Sequence, residues 1–384
     1  MLLYKNVSYI ILLMAILFSG CIKYYEPNYY EGDDARIVVN GVIKNIEGYQ
    51  YVYINKTSPL NKYSINPMVK CKVEIIDSLG NSFPLDEFED GKYRIWLGQQ
   101  YLTVGNSYKL KIQTADGEFL ESEFEKIHQA VAVDSIYFET KTIILPNVSN
   151  PLYGAQFYID FDAGDSPSEF FLWNIEETWE KHASRPIEWW YDGHVHHQVP
   201  PDYSKMLCYQ TEIIPDIFTL TTKNLSPKVY KKYPLHFVST QSQRLNYLYS
   251  ILINQYSVTQ TTFDYWQKMK ENGLQQGGLY SKQPISVRGN ITNLTHPEKV
   301  VLGIFSAVGA SQKRIFIQNV AGLITDFNPC QSSSLRRGVR DISPYDYPAY
   351  LDGNDFNYYN VQLSPGCVDC TRNGGTTTKP VFWP

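Results

Sequence analysis

The chain has 384 residues, with 34 Lys and Arg against 39 Asp and Glu, for a formal charge of −5. Hydrophobic residues make up 43% and charged residues 19%, which excludes a wholly disordered chain and leaves room for two or three domains. The mild acidity argues against a nucleic-acid partner. No Gly-x-Gly-x-x-Gly or Walker A segment occurs, so a nucleotide-binding α/β enzyme has no support.

Residues 1–20 read as a signal peptide. Lys5 makes the start basic, residues 10–18 are apolar, and Ser19-Gly20 is a small pair before Cys21. The apolar run is too short to span about 30 Å of hydrocarbon as a helix. Leu17-Phe18-Ser19-Gly20-Cys21 resembles the bacterial lipobox, with Phe18 where Leu is usual. The resemblance implies a diacylglyceryl group on the Cys21 thiol, and acyl chains hold a soluble body on a membrane at about 0.8 kcal/mol per buried CH₂. No later run reaches eighteen apolar residues. Residues 21–35 are polar and turn-rich and read as a tether. Glu26, Glu31, Asp33 and Asp34 cluster there, which favours a cell-surface position over an inward-facing one.

Two β-rich parts follow. Over residues 36–128, six or seven short strands are expected, at 36–43, 49–55, 71–77, 91–96 and 107–114 among others, with turns at 77–82 and 116–117. Apolar and polar residues alternate along them, as for one buried and one wet face. That density fits an immunoglobulin-like β-sandwich, without the Cys-Trp-Cys spacing of true immunoglobulins. Residues 129–384 form a larger β-rich part, with strands expected at 156–161, 169–176, 237–239, 245–253, 300–307 and 313–317. It carries one short amphipathic helix, from about Thr262 to Asn272. Thr261 is its candidate cap, Asp264 a near match to a capping box, and Gly273 its stop. Phe263, Trp266 and Met269 or Lys270 form its apolar stripe, which reads as core packing.

The densest imidazole cluster is His194, His196 and His197, after Asp192, with His182 nearby. Residues 194 and 196 would share a strand face, but the segment between Trp189-Trp190-Tyr191 and Pro200-Pro201 reads as a long polar loop, and no metal site is assigned. Trp189, Trp190 and Tyr191 are candidate ligand contacts, able to stack on a sugar ring or pack a peptide; ordinary loop packing is the alternative. Cys71 falls in an alternating strand and reads as buried and free. Export makes structural disulfides the expectation for Cys208, Cys330, Cys367 and Cys370, with three complete pairings open. Cys367-Val368-Asp369-Cys370 has thioredoxin-like spacing but loop context, so a redox role is not expected. No Gly-x-Ser-x-Gly is present, and no carboxylate pair stands out for glycoside hydrolysis. No catalytic residue and no cofactor are assigned.

The opening Arg36-Ile37-Val38-Val39-Asn40-Gly41-Val42-Ile43 after the lipobox resembles the DUF4249 family. Further blocks carry the resemblance: Tyr265-Trp266, 277–284, Val287-Arg288-Gly289-Asn290 through Asn293, 301–307, 313–316, 367–375 and 379–383. Ile304 stands where Tyr is frequent. The resemblance covers nearly all of 21–384. It implies an outer-membrane lipoprotein of the Bacteroidota, often encoded beside TonB-dependent receptors, and supplies no catalytic residue. The expected function is a non-enzymatic binding or accessory subunit for TonB-dependent nutrient uptake. Its partners would be outer-membrane lipid through Cys21, a TonB-dependent receptor, and a glycan or peptide ligand. A structural envelope lipoprotein and a surface hydrolase are the alternatives. The family positions Gly289-Asn290 and Gly374-Gly375 read as turns at positive φ.

Overall fold

The computed structural model describes residues 35–58, 64–144, 150–274, 287–323, 325, 330–353 and 361–384. Cys21, nearly all of the tether and the block at 277–284 lie outside these residues. The described chain is mostly β, and its one α-helix is Gln260–Leu274.

The first strands behave as their alternation demands. In Ile37–Lys44, Val39, Gly41 and Ile43 face inward, so Asn40, Val42 and Lys44 face outward. In the antiparallel neighbour Gly48–Lys56, Gln50, Val52 and Ile54 are buried, and Tyr49, Tyr51 and Tyr53 fall on the outer face. Strand Ser82–Glu89 pairs through its first half with Lys72–Asp77 and through its second half with Lys92–Leu97. It therefore crosses between the two layers of an immunoglobulin-like sandwich. The core is Val39, Ile43, Val52, Ile54, Ile75, Tyr108 and their neighbours.

Residues far down the chain complete this sandwich. Strand Ile291–Asn293 pairs with Phe119–Ser122. Leu302–Ile317 runs parallel to Ile37–Lys44 through residues 302–308. Phe305 and Ala307 enter the sandwich core. The same 16-residue strand continues through 309–317 as the antiparallel partner of Tyr249–Ser257. The sequence reading expects a break near 308–312. None occurs, because Gly309 lets the strand slide under the connecting segment; a Cβ there would lie 2.2 Å from the His128 carbonyl. Residues 303–309 are buried on both faces, which is why they read as a nearly continuous apolar run.

The second part is built on Phe170–His182. It pairs with Tyr249–Ser257 on one side and with Leu207–Ile213 and Phe218–Thr221 on the other. A three-stranded sheet of Ser135–Ile143, Leu152–Asp162 and Val229–Ser239 covers it. Phe157, Phe161, Phe171, Trp173, Tyr249 and Ile251 fill the core between them. The helix packs its predicted stripe through Phe263 and Trp266 against Leu172, Val258 and Val308. Its cap is Thr259 rather than Thr261: the Thr259 hydroxyl accepts the Thr262 amide at 3.2 Å. The helix also runs through Gly273 to Leu274.

Disulfides pin the C-terminal residues. Cys208 pairs with Cys370 and Cys330 with Cys367, while Cys71 is buried and free. A small five-stranded sheet, which includes Ile187–Tyr191, Val195–Asp202 and Ala349–Leu351, packs beside them.

Candidate ligand-binding cleft

A cleft of about 480 Å³ opens between the sandwich and the second part, within the size range of small-molecule sites. Strand alternation builds one wall. Asn40, Val42 and Lys44 reach it from one strand, and Tyr49, Tyr51 and Tyr53 from the next. Leu172, Asn174, Tyr256 and Val258 continue the lining from the second part, and 213–218 adds Ile213, Ile214 and Phe218. Trp266 enters from the helix, and Ser306 and Val308 from the shared strand. Tyr51 and Tyr53 lie nearly parallel, with ring centroids 6.3 Å apart. Tyr49 meets Trp96 edge-on at 5.1 Å, and the Arg94 guanidinium covers Tyr49 at 4.4 Å. These contacts hold the aromatic wall in place before anything binds.

The floor rests on buried polar groups. Glu125, 2% exposed, accepts from the Thr259 hydroxyl at 2.5 Å, the Thr262 hydroxyl at 3.2 Å and Asn290 Nδ2 at 3.0 Å. The Thr262 hydroxyl also lies 3.0 Å from the Ser306 hydroxyl. Burial raises the Glu125 pKa against the lowering effect of these donors. The network ties the helix start, the sandwich and residues 290–306 into one support.

Lys44 is the cation of the cleft lining. Its ammonium sits 5.7 Å from the centroid of the Tyr256 ring. It meets solvent inside the cleft, yet enough protein surrounds it that desolvation lowers its pKa. Burial pushes the Tyr256 phenol up to about 12, so it stays neutral.

A second cavity, about 510 Å³ and polar, lies beside the disulfides. There Arg244 bridges Glu177 and Glu212 and covers the Trp179 ring at 4.7 Å. Lys181 donates to the Asn373 carbonyl, and His182 stacks on Tyr247 at 3.6 Å. These side chains already have partners within the protein.

Trp189, Trp190 and Tyr191 are placed differently from the sequence expectation. They lie on a strand, not in a long loop, because Ile187–Tyr191 forms a hairpin with Val195–Asp202. Trp189 stacks on His197 and Trp190 on His196, both at 3.7 Å. Alternation sends Trp189 and Tyr191 toward Leu335, Ala349 and Leu351, and Trp190 toward Ile187, Tyr350 and Leu363. The three rings therefore do not converge, and none lines the cleft. His196 Nε2 lies 2.9 Å from Asp192. Among the described residues no group of three metal-ligating side chains is brought together. The tyrosine ladder and Lys44 were missed as site residues, although the alternation of 37–44 and 49–55 puts them on the outer faces of adjacent strands.

The family positions have structural explanations. Gly374 adopts φ +83°, as expected. Gly289 and Gly375 are required by close approach instead of positive φ. A Cβ at 289 would meet the Gly303 carbonyl at 1.7 Å, and one at 375 would meet Cys208 Cβ at 2.6 Å.

A family model described as a domain of unknown function, DUF4249, matches residues 22–314. The chain belongs to the DUF4249 family. The match spans the sandwich, the helix and the shared strand up to Arg314, so every cleft residue lies within the DUF4249 region. No curated protein matches the chain. Among solved structures, it is similar to trypsin-activated alpha-2-macroglobulin from Escherichia coli, with 11% identity over 61% of this chain and 15% of that one. The TM-score is 0.19, and a likeness this slight carries no argument.

Proposed function

We propose that this DUF4249 chain is a lipid-anchored outer-membrane protein that binds a small ligand without chemical turnover. In this reading it serves as an accessory subunit of a TonB-dependent uptake system. The observation that carries the binding role is the cleft: a preformed, aromatic-lined seam between two parts of the fold, where ligand sites are commonly built. The export signal at 1–20 and Cys21 support the anchor. No helix among the described residues is long and apolar enough to cross a membrane.

The non-enzymatic reading draws support from where the acids sit. The carboxylate that burial perturbs, Glu125, is sealed behind Thr259, Thr262 and Asn290. Glu177 is fully buried beneath Arg244 and Tyr249. Neither can reach a substrate as a general acid or base must.

The accessory role is tested by crosslinked pull-down of the tagged protein from native outer membranes, read by mass spectrometry. A receptor recovered in near-equal amount is the expected result. Recovery of the lipoprotein alone after crosslinking overturns the receptor partnership.

A further inference from the structure

We infer that the cleft selects a monoanionic amphipath, a molecule with a flat apolar body and one carboxylate, and that Lys44 pairs with that carboxylate. This rests on the reading of the cleft as a ligand site and adds the chemical class that the site accepts.

The walls set the body. Tyr51, Tyr53, Leu172, Phe218, Val258 and Trp266 present aromatic and aliphatic surface. A ring-sized apolar body placed against them is stabilised by the apolar surface it removes from water.

The charge comes from Lys44. Among the described residues no ion pair engages its ammonium, which sits 5.7 Å from the centroid of the Tyr256 ring. A ring face compensates a cation only weakly at an exposed site, less than a carboxylate at hydrogen-bonding distance would. The lowered Lys44 pKa, caused by desolvation, agrees with an under-compensated cation. The cation of the polar cavity differs, since Arg244 is paired by Glu177 and Glu212.

One ammonium sets the ligand's charge at one. The lining holds no second cation and carries Asp216 on the 213–218 segment. A dianionic phosphate would lack the paired donors or guanidinium fork that such groups are usually given. The Thr262 and Ser306 hydroxyls bond each other at 3.0 Å and add no charge to the lining.

The test compares naphthalene-2-carboxylate with naphthalene-2-carboxamide, nearly equal in shape and different in charge. Isothermal titration calorimetry on the full chain in one mild detergent measures both, against protein-free detergent. Wild type should bind the carboxylate about tenfold or more tighter than the amide, as one charge-assisted hydrogen bond provides. Lys44→Met keeps an apolar stem and should equalise the two. Val42→Trp, at an exposed lining position, should weaken both together. Equal affinities for wild type overturn the role of Lys44 and leave the cleft as a site. Binding of neither probe, or binding that Val42→Trp leaves untouched, overturns the cleft reading itself.

Discussion

Asn290 acts as a strand partner for Phe305. Its Oδ1 accepts the Phe305 amide at 3.0 Å, and its Nδ2 donates to the Phe305 carbonyl at 2.8 Å. The same Nδ2 donates to Glu125 at 3.0 Å. One buried side chain thus satisfies the inner strand of the sandwich and the carboxylate under the cleft. Asn290→Ala should cost about 3 kcal/mol, because it leaves buried groups without partners. Urea unfolding checks this through the midpoint, and a loss below about 1 kcal/mol would show that water replaces the amide.

Glu125 gives a pH signature. Its pKa is raised in the folded state, so the native protein holds a proton that the unfolded chain releases first. Stability from this group is therefore present below the ordinary Glu value and declines as pH rises through the folded pKa. Glu125→Gln should flatten that decline while keeping an acceptor for Thr259 and Thr262. Melting temperature followed from pH 4 upward separates the two proteins; parallel curves would contradict the account.

The Cys208–Cys370 bridge spans 162 residues. Removing it through Cys208→Ala with Cys370→Ala should cost about 2–5 kcal/mol, chiefly by freeing the unfolded chain. Gly375 packs on Cys208, so the polar cavity should loosen as well. Hydrogen exchange at 370–376 reads the local change, and unaltered protection there would place the support elsewhere.

Trp190 separates packing from binding. Trp190→Ala removes a half-buried ring from the cluster of Ile187, Tyr350 and Leu363 and should cost about 2 kcal/mol. Calorimetric affinity for naphthalene-2-carboxylate should stay unchanged. A marked loss of affinity at equal foldedness would return the hairpin aromatics to the binding site.

Much of this fold was legible because its strands follow the pleat. The alternation of 37–43, 49–55 and 71–77 gave both elements and faces, and Phe263 with Trp266 gave the helix its packing stripe. Long-range pairings were not legible. Nothing local in 302–308 says that it will lie parallel to 37–44, since the partner is set by which buried edge remains open. Hairpin 187–202 was hidden because its outward positions are polar and prolines punctuate it. The cleft was hidden for a related reason: a tyrosine on an outer sheet face reads as solvent-facing until the second part of the fold is placed beside it. Gly289 and Gly303 were visible as family residues, but only the fold shows that their backbones touch.

The most direct test of the binding role is to identify what the protein carries. Wild type, Val42→Trp and Asn174→Trp would be purified gently from native outer membranes. Small molecules released on heating would then be measured by mass spectrometry. At least one compound should accompany the wild type and be lost from both cleft-filled variants. Equal recovery of the same compounds from all three proteins would contradict the cleft as the ligand site.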